Sequence, residues 1–275
     1  MLSIINLTLK ETFSKKIFLA FFLFSTLFIL LLFFTLNLDA VDNAQTYISI
    51  FGQQVNTDGD SFNMTEVVGY IQAGIAVALY IIGLFFSLFA TSSLIPSLIK
   101  TGNIDLILSK PISRTKILMG RVIGSLAIVA FNIFYLVIAS WLILSIKSGI
   151  WNYHFLYSGF IILITYGALY SLVTLFGILT GGTALSFIIT YAVIFISPML
   201  TVAMSEKLAA FTNVGDNIFI QISYNIVPKI SEIGEIMFNV ARGVEVETLL
   251  PIWTTLAFGI FFMGVSVVIF KRKDF

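Results

Sequence analysis

Few residues in this chain could carry out chemistry, and those few are scattered. His154 is the only histidine among 275 residues, and cysteine is absent. That excludes thiolate chemistry, a disulfide framework and a cysteine-ligated metal. Neither a His-Glu-x-x-His string nor a Gly-x-x-x-x-Gly-Lys-Ser/Thr phosphate loop occurs, so the chain cannot cradle ATP in that way. A lone histidine beside an apolar run reads as a surface residue. Asn63-Met64-Thr65 has the spacing of a glycosylation acceptor and is read as chance. The long apolar runs contain no Asp, Glu, His, Lys or Arg. Proton- or sodium-coupled carriers place titratable or coordinating groups at that depth, as would an intramembrane acid–base enzyme. Backbone carbonyls can replace side chains around sodium, so the carrier reading is weakened and not excluded. No catalytic, metal or cofactor-binding residue is assigned, and no enzyme activity is expected of the chain itself.

The elements behind this pattern are membrane helices. The chain is 59% hydrophobic and 11% charged, with a mean hydropathy of +1.04. Soluble domains carry about 25% charge. A crossing needs about 20 apolar residues. Six runs meet that need: residues 17–38, 71–95, 122–146, 155–180, 183–204 and 250–270. The fourth and fifth come from one uncharged stretch, divided at Gly181-Gly182 because paired glycines break helices. Pro198 is expected to kink the fifth or end its regular part. Pro96 lies near the end of the second, and Pro251 suits the first turn of the sixth. The segment from Asp39 to Glu66 is polar and acidic. Residues 205–249 are mixed, with short apolar stretches at Ile218–Val227 and Ile233–Val240 that suit interfacial or re-entrant helices. Residues 1–16 interleave Ile4, Ile5, Leu7, Leu9 and Phe13 with Asn6, Lys10, Glu11, Lys15 and Lys16. They read as an interfacial amphipathic helix, or as a basic leader that only sets topology. The expectation is an all-α integral membrane protein of a single domain, residues 1–275.

Orientation follows from the basic residues. With six crossings, eleven of the fifteen Lys and Arg fall on one side, and only Lys147, Lys207, Lys229 and Arg242 on the other. The acids go the opposite way, with only Glu11, Asp105 and Asp274 on the basic side. The basic side, holding both termini, is assigned to the cytoplasm.

The cytoplasmic loop at residues 100–116 is the informative segment. Asn103 can cap a short helix with Ile104, Ile107 and Leu108 on one face, and Pro111 ends it. Ser113 can cap the next helix. An apolar face at the cytoplasmic mouth suits docking into a partner's groove, or folding back on the chain or onto lipid. Gly102-Asn103-Ile104-Asp105-Leu106-Ile107-Leu108-Ser109-Lys110-Pro111-Ile112-Ser113-Arg114, followed by Gly120-Arg121, resembles the cytoplasmic loop of ABC-2-type transporter permeases. It is most similar to the branch concerned with multi-copper or nitrous-oxide reductase maturation. The ending Phe270-Lys271-Arg272-Lys273-Asp274-Phe275 is similar too.

The resemblance implies a coupling helix that inserts into a separate ABC nucleotide-binding subunit. ATP and Mg would sit in that subunit, two permease chains would pair as a homo- or heterodimer, and short extracellular helices would precede the last span. Residues Ile104, Ile107 and Leu108 would form the docking face. Asp105, Lys110 and Arg114 would set its register, and Gly102 and Pro111 would fix the backbone. Lys110, Arg114 and Lys116 could instead serve only the positive-inside bias. Tyr80, Asn132, Thr174 and Tyr191 are candidates for a substrate path, Asn132 being the costliest to leave unpaired in lipid. Gly120-x-x-x-Gly124 and Gly177-x-x-x-Gly181 have close-packing spacing and are read as intrachain contacts. The leading function is the permease subunit of an ATP-driven exporter in the inner (cytoplasmic) membrane. The alternative is an ATPase-coupled scaffold or mechanotransmission subunit without transport. Nucleic acid is not expected as a partner.

Overall fold

The computed structural model describes residues 2–13, 16–39, 47–50, 53–55, 64–99, 112–204 and 218–273. Among these residues the body is all-α, and six helices are long and apolar enough to cross a membrane. A short helix α1 (Leu2–Phe13) precedes the first spanning helix α2 (Lys16–Thr35). Then come α3 (Met64–Thr91), a one-turn helix α4 (Leu94–Ile99), and α5 (Arg114–Ser148). A 3-10 turn (Tyr153–Leu156) leads into α6 (Tyr157–Thr180), followed by α7 (Thr183–Ala203). Two short helices, α8 (Ile218–Ile226) and α9 (Ile230–Arg242), precede the last span α10 (Leu250–Arg272).

The interior is apolar, and so is much of the exterior. Leu23, Phe34, Ile146, Met199, Trp253 and Ile260 are exposed. Ser87, Thr91, Ser125, Thr165, Ser171, Thr190 and Ser266 are enclosed. Small hydroxyl residues let helices approach closely, and all of these but Ser87 give their protons to carbonyls of their own helices. Thr165 donates to the Ile161 carbonyl at 3.0 Å, and Thr190 to Ser186 at 2.8 Å. The apolar exterior then faces lipid tails, and the backbone is satisfied within each helix. Helix α6 is the hub, with 78% of its spanning window buried against 22% for α2 and α7 and 17% for α10.

The breaks have local causes. Gly181 adopts φ 66° and its N–H reaches the Gly177 carbonyl at 3.0 Å, closing α6 with a left-handed residue that glycine adopts without Cβ strain. The expected division at Gly181-Gly182 is therefore real. The second span ends earlier than expected. Pro96 cannot donate to the Ser92 carbonyl, so α3 stops at Thr91 and Pro96 falls in the first turn of α4. Helix α7 does not end at Pro198 but runs through it to Ala203. Pro251 takes the first turn of α10. Ser113 is the N-cap residue of α5, but through its carbonyl, which accepts from Ile117 N–H at 3.1 Å; its hydroxyl makes no cap bond.

Two features lie in the segments between spans, the first of them not foreseen from the sequence. Strands β1 (Leu36–Asp39), β2 (Tyr47–Ile50) and β3 (Gln53–Val55) form an antiparallel ribbon in the polar segment after α2. Leu36 pairs with Ile50, and Ile48 with Val55. The other is α9, whose Ile230, Ile233, Ile236, Met237 and Ala241 are buried. Tyr80 in α3 donates to the Ile230 carbonyl at 3.0 Å. Ser197 in α7 donates to the Pro228 carbonyl at 2.7 Å and accepts from Ile230 N–H at 3.0 Å. Ser197 stands six residues before the end of α7 at Ala203, or about 9 Å at helical rise. Helix α9 thus starts inside the bundle, not on its rim.

Candidate functional site at the basic end of the bundle

The described residues on either side of the loop converge on one carboxylate. Helix α1 places Ile4, Thr8 and Thr12 on a buried face, one turn apart, against α5. The approach is close because Gly124 has no side chain: a Cβ there would lie 2.8 Å from the Thr8 Cβ. The expected intrachain use of Gly120-x-x-x-Gly124 is realised in this contact. Docking brings Glu11 to Arg121, with Nη1 and Oε2 at 2.5 Å. Arg121 is 4% exposed, and the same Nη1 lies 3.4 Å from the Thr8 hydroxyl. The Ser97 hydroxyl of α4 donates to the Leu94 carbonyl at 3.0 Å and lies 3.4 Å from the other Glu11 oxygen. Helices α4 and α5, which enter and leave the loop, thus meet at a single side chain of α1, which is ion-paired to α5. Leu7, Lys10 and Phe13 on the outer face of α1 stay exposed, as an interfacial helix requires.

Helix α5 has 35 residues, which makes it about 52 Å long against a hydrocarbon core of about 30 Å. Its first turns extend the bundle at this end. Arg114 opens the helix, and its Nη1 donates to the Lys273 carbonyl at 2.6 Å and toward the Lys271 carbonyl at 3.4 Å. The Lys273 ammonium donates to the Ile178 carbonyl at the end of α6. Gly177 is packed against Ile95 and Pro96 of α4, again inside the chain. The ends of α1, α4, α5, α6 and α10 thus gather together, as six crossings demand.

Of the expected docking residues, Gly102, Ile104, Asp105, Ile107, Leu108, Lys110 and Pro111 lie outside the described residues, as does Asn103. Arg114 is described, and the bonds just given tie it to its own chain's last helix. The four substrate-path candidates are not brought together. Each is buried with its polar atom bonded within the chain: Tyr80 as above, Thr174 to the Tyr170 carbonyl at 2.9 Å, Tyr191 to the Phe85 carbonyl at 2.5 Å, and Asn132 to Ser25 at 2.9 Å. Ser25 has one proton, and the Phe21 carbonyl accepts it at 2.9 Å. Asn132 is therefore best satisfied with its amide turned to donate to Ser25. Replacing both residues, Ser25→Ala with Asn132→Leu, removes donor and acceptor together. The melting temperature of the detergent-solubilised protein is expected to hold or rise. A marked fall would assign the pair a larger share of α2–α5 cohesion.

The opposite end has its own polar cluster. Asn152 donates to Gln72 and to the Ala241 carbonyl, both at 2.7 Å. Lys229 sits 4.2 Å from the Tyr224 ring centroid and 3.8 Å from Glu232. Burial, then the Glu232 carboxylate that accepts its proton, pushes the Tyr224 phenol up to about 12. Among the described residues no three carboxylate or imidazole groups gather as a metal site requires.

The fold and this arrangement define a multi-pass helical membrane protein. No family model and no curated protein matches the chain. Any closer reading rests on the loop string and on the geometry around it.

Proposed function

We propose that this chain is the transmembrane subunit of an ATP-driven transporter of the ABC-2 type, working as an exporter. A separate nucleotide-binding subunit binds ATP and Mg and supplies the stroke. A second permease chain completes the membrane path. The complex sits in the inner membrane, with the basic end and both termini of this chain in the cytoplasm.

One observation carries the reading: the Gly102–Arg114 string falls at the basic end, between α4 and α5. Helix α5 is ion-paired to Glu11 of α1 and α4 packs beside the same carboxylate, so a push on the loop meets a braced frame and not a loose tether. The chain's lack of a phosphate loop fits a division of labour in which the partner hydrolyses ATP. The coupling residues remain Gly102, Ile104, Asp105, Ile107, Leu108, Lys110 and Pro111. Arg114 belongs with them and is also bonded to α10, which joins the partner contact to the transmission.

Exchanging Ile107 and Leu108 for Asp tests the proposal. The doubly substituted chain is expected to insert normally yet lose co-purification with the nucleotide-binding subunit and lose stimulation of its ATPase. Retention of both would overturn the docking claim. If the intact complex hydrolyses ATP in vesicles while no solute or lipid moves, the scaffold reading replaces the exporter.

A further inference from the structure

The basic end holds a second latch, built from borrowed helix caps. The last carbonyls of a helix have no donors of their own. Cationic side chains supply them and complement the negative end of the dipole. Here the cap on α10 comes from the start of α5, through Arg114 to Lys273 and Lys271. The cap on α6 comes from the end of α10, through Lys273 to Ile178. Lys273 keeps its own N–H on the Ile269 carbonyl at 3.0 Å, so its backbone remains held by the helix. Phe270 is fully buried three residues earlier, which fixes the last turn of α10 against the bundle. Deeper in the bundle, α10 and α6 touch where Gly259 meets Ala168.

One guanidinium nitrogen of Arg114 serves both carbonyls, with the short contact at Lys273, so the bond ties the start of α5 to the C-cap residue of α10. The three helices form a series: moving the first residue of α5 pulls on α10, and α10 pulls on α6. Helix α2 is outside this series and has few buried residues.

We infer that Arg114 is a positioning residue that transmits displacement of the start of α5 to α10 and α6, with Lys273 as the second link. The source of the displacement rests on the function proposed above. The latch itself does not.

The absence of cysteine allows clean labelling. Lys116 and Arg272 are exposed and report the α5–α10 junction; Leu19 and Leu179 are exposed and report α6 against α2. Each pair is changed to Cys, spin-labelled, and measured by pulsed electron resonance in nanodiscs of phosphatidylethanolamine and phosphatidylglycerol. In the chain alone, Arg114→Gln is expected to broaden the 116–272 distribution and shift it outward, with Arg114→Lys intermediate. An unchanged distribution overturns the latch. With the nucleotide-binding subunit and a non-hydrolysable ATP analogue, the 19–179 distance is expected to shift in the parent. The same shift should be lost in R114Q while ATP hydrolysis and co-purification persist. A cap with only a structural role would lower the melting temperature and leave that shift intact, which overturns transmission. Lys273→Met cuts the second link alone. It should release α6 while leaving the 116–272 pair narrow, so the claim stays testable if R114Q misfolds. Failure of the parent to bind any nucleotide-binding subunit overturns transmission together with the proposed function, while the measurement on the chain alone still decides the latch.

Discussion

Replacing Glu11 with Gln is expected to destabilise the chain by about 3 kcal/mol, at the low end for breaking a buried ion pair because Glu11 is partly open. The cost arises at Arg121, not at Glu11. Arg121 is 4% exposed, and its Nε already has no hydrogen-bond partner. Its guanidinium cannot discharge by losing a proton. The Glu11 carboxylate at 2.5 Å is what makes the buried charge tolerable. Gln keeps an acceptor oxygen but no charge. Two further contacts depend on the same side chain: the Ser97 hydroxyl, and the approach of Thr8 to Gly124. Glu11→Leu combined with Arg121→Leu removes both charges and is expected to recover most of the loss, since well-packed apolar residues replace buried pairs at little cost. Thermal melting of the three purified variants beside the parent checks this. If E11Q melts with the parent, the pair is not what holds α1 to the bundle.

This arrangement could be foreseen only in part from the residues. The six spans were legible because bilayer thickness sets a length that apolar runs must meet, and no charge interrupts them. The division at Gly181-Gly182 was legible because only a break could split so long a run. Glu11 and Arg121 were visible as a charged residue of α1 and the last basic residue of the loop. Their partnership was not, because it depends on how α1 lies across α5, and a helix's own periodicity says nothing of its crossing partner. The Gly120-x-x-x-Gly124 spacing hinted that something would come close, but not that Thr8 would. Arg114 was legible as a cation near a membrane edge, which gave it two plain readings: a topology signal or a partner contact. The carbonyls it bonds belong to Lys271 and Lys273, some 157 and 159 residues further along, and backbone acceptors leave no trace in a sequence pattern. The packing of α9 into the bundle was open for a similar reason. Its apolar stripe at Ile230, Ile233, Met237 and Ala241 was compatible with lipid, and the bonds from Tyr80, Ser197 and Asn152 that hold it inward come from distant parts of the chain.

Gly259→Leu is expected to cost about 3 kcal/mol, the upper range for overpacking a tight contact. The buried residues of α10 are Pro251, Thr255, Gly259, Ser266 and Phe270, mostly small and spaced to form one narrow stripe. That stripe lets a helix that is only 17% buried lie close against the hub helix α6. A Cβ at position 259 would stand 2.7 Å from the Cα of Ala168 and 3.1 Å from its Cβ. The obstacle is backbone in the most enclosed helix, so it cannot turn aside as a flexible side chain could. Helix α10 must move out instead, losing dispersion contacts along the whole stripe. Gly259→Ala meets the same obstacle with fewer atoms, and a gain in helix propensity of about 1 kcal/mol offsets part of its cost. Gly264 provides the control on the same helix, because a Cβ there meets nothing within 4 Å. Gly264→Ala is expected to be neutral or to stabilise by up to about 1 kcal/mol. Melting temperatures of the three variants in one detergent decide the matter; equal effects at 259 and 264 would mean that α10 is not seated on Ala168. Displacement at Gly259 should also draw Lys273 away from the Ile178 carbonyl. G259L is therefore expected to release α6 as Lys273→Met does, with the 116–272 pair left narrow, from a cause well inside the membrane.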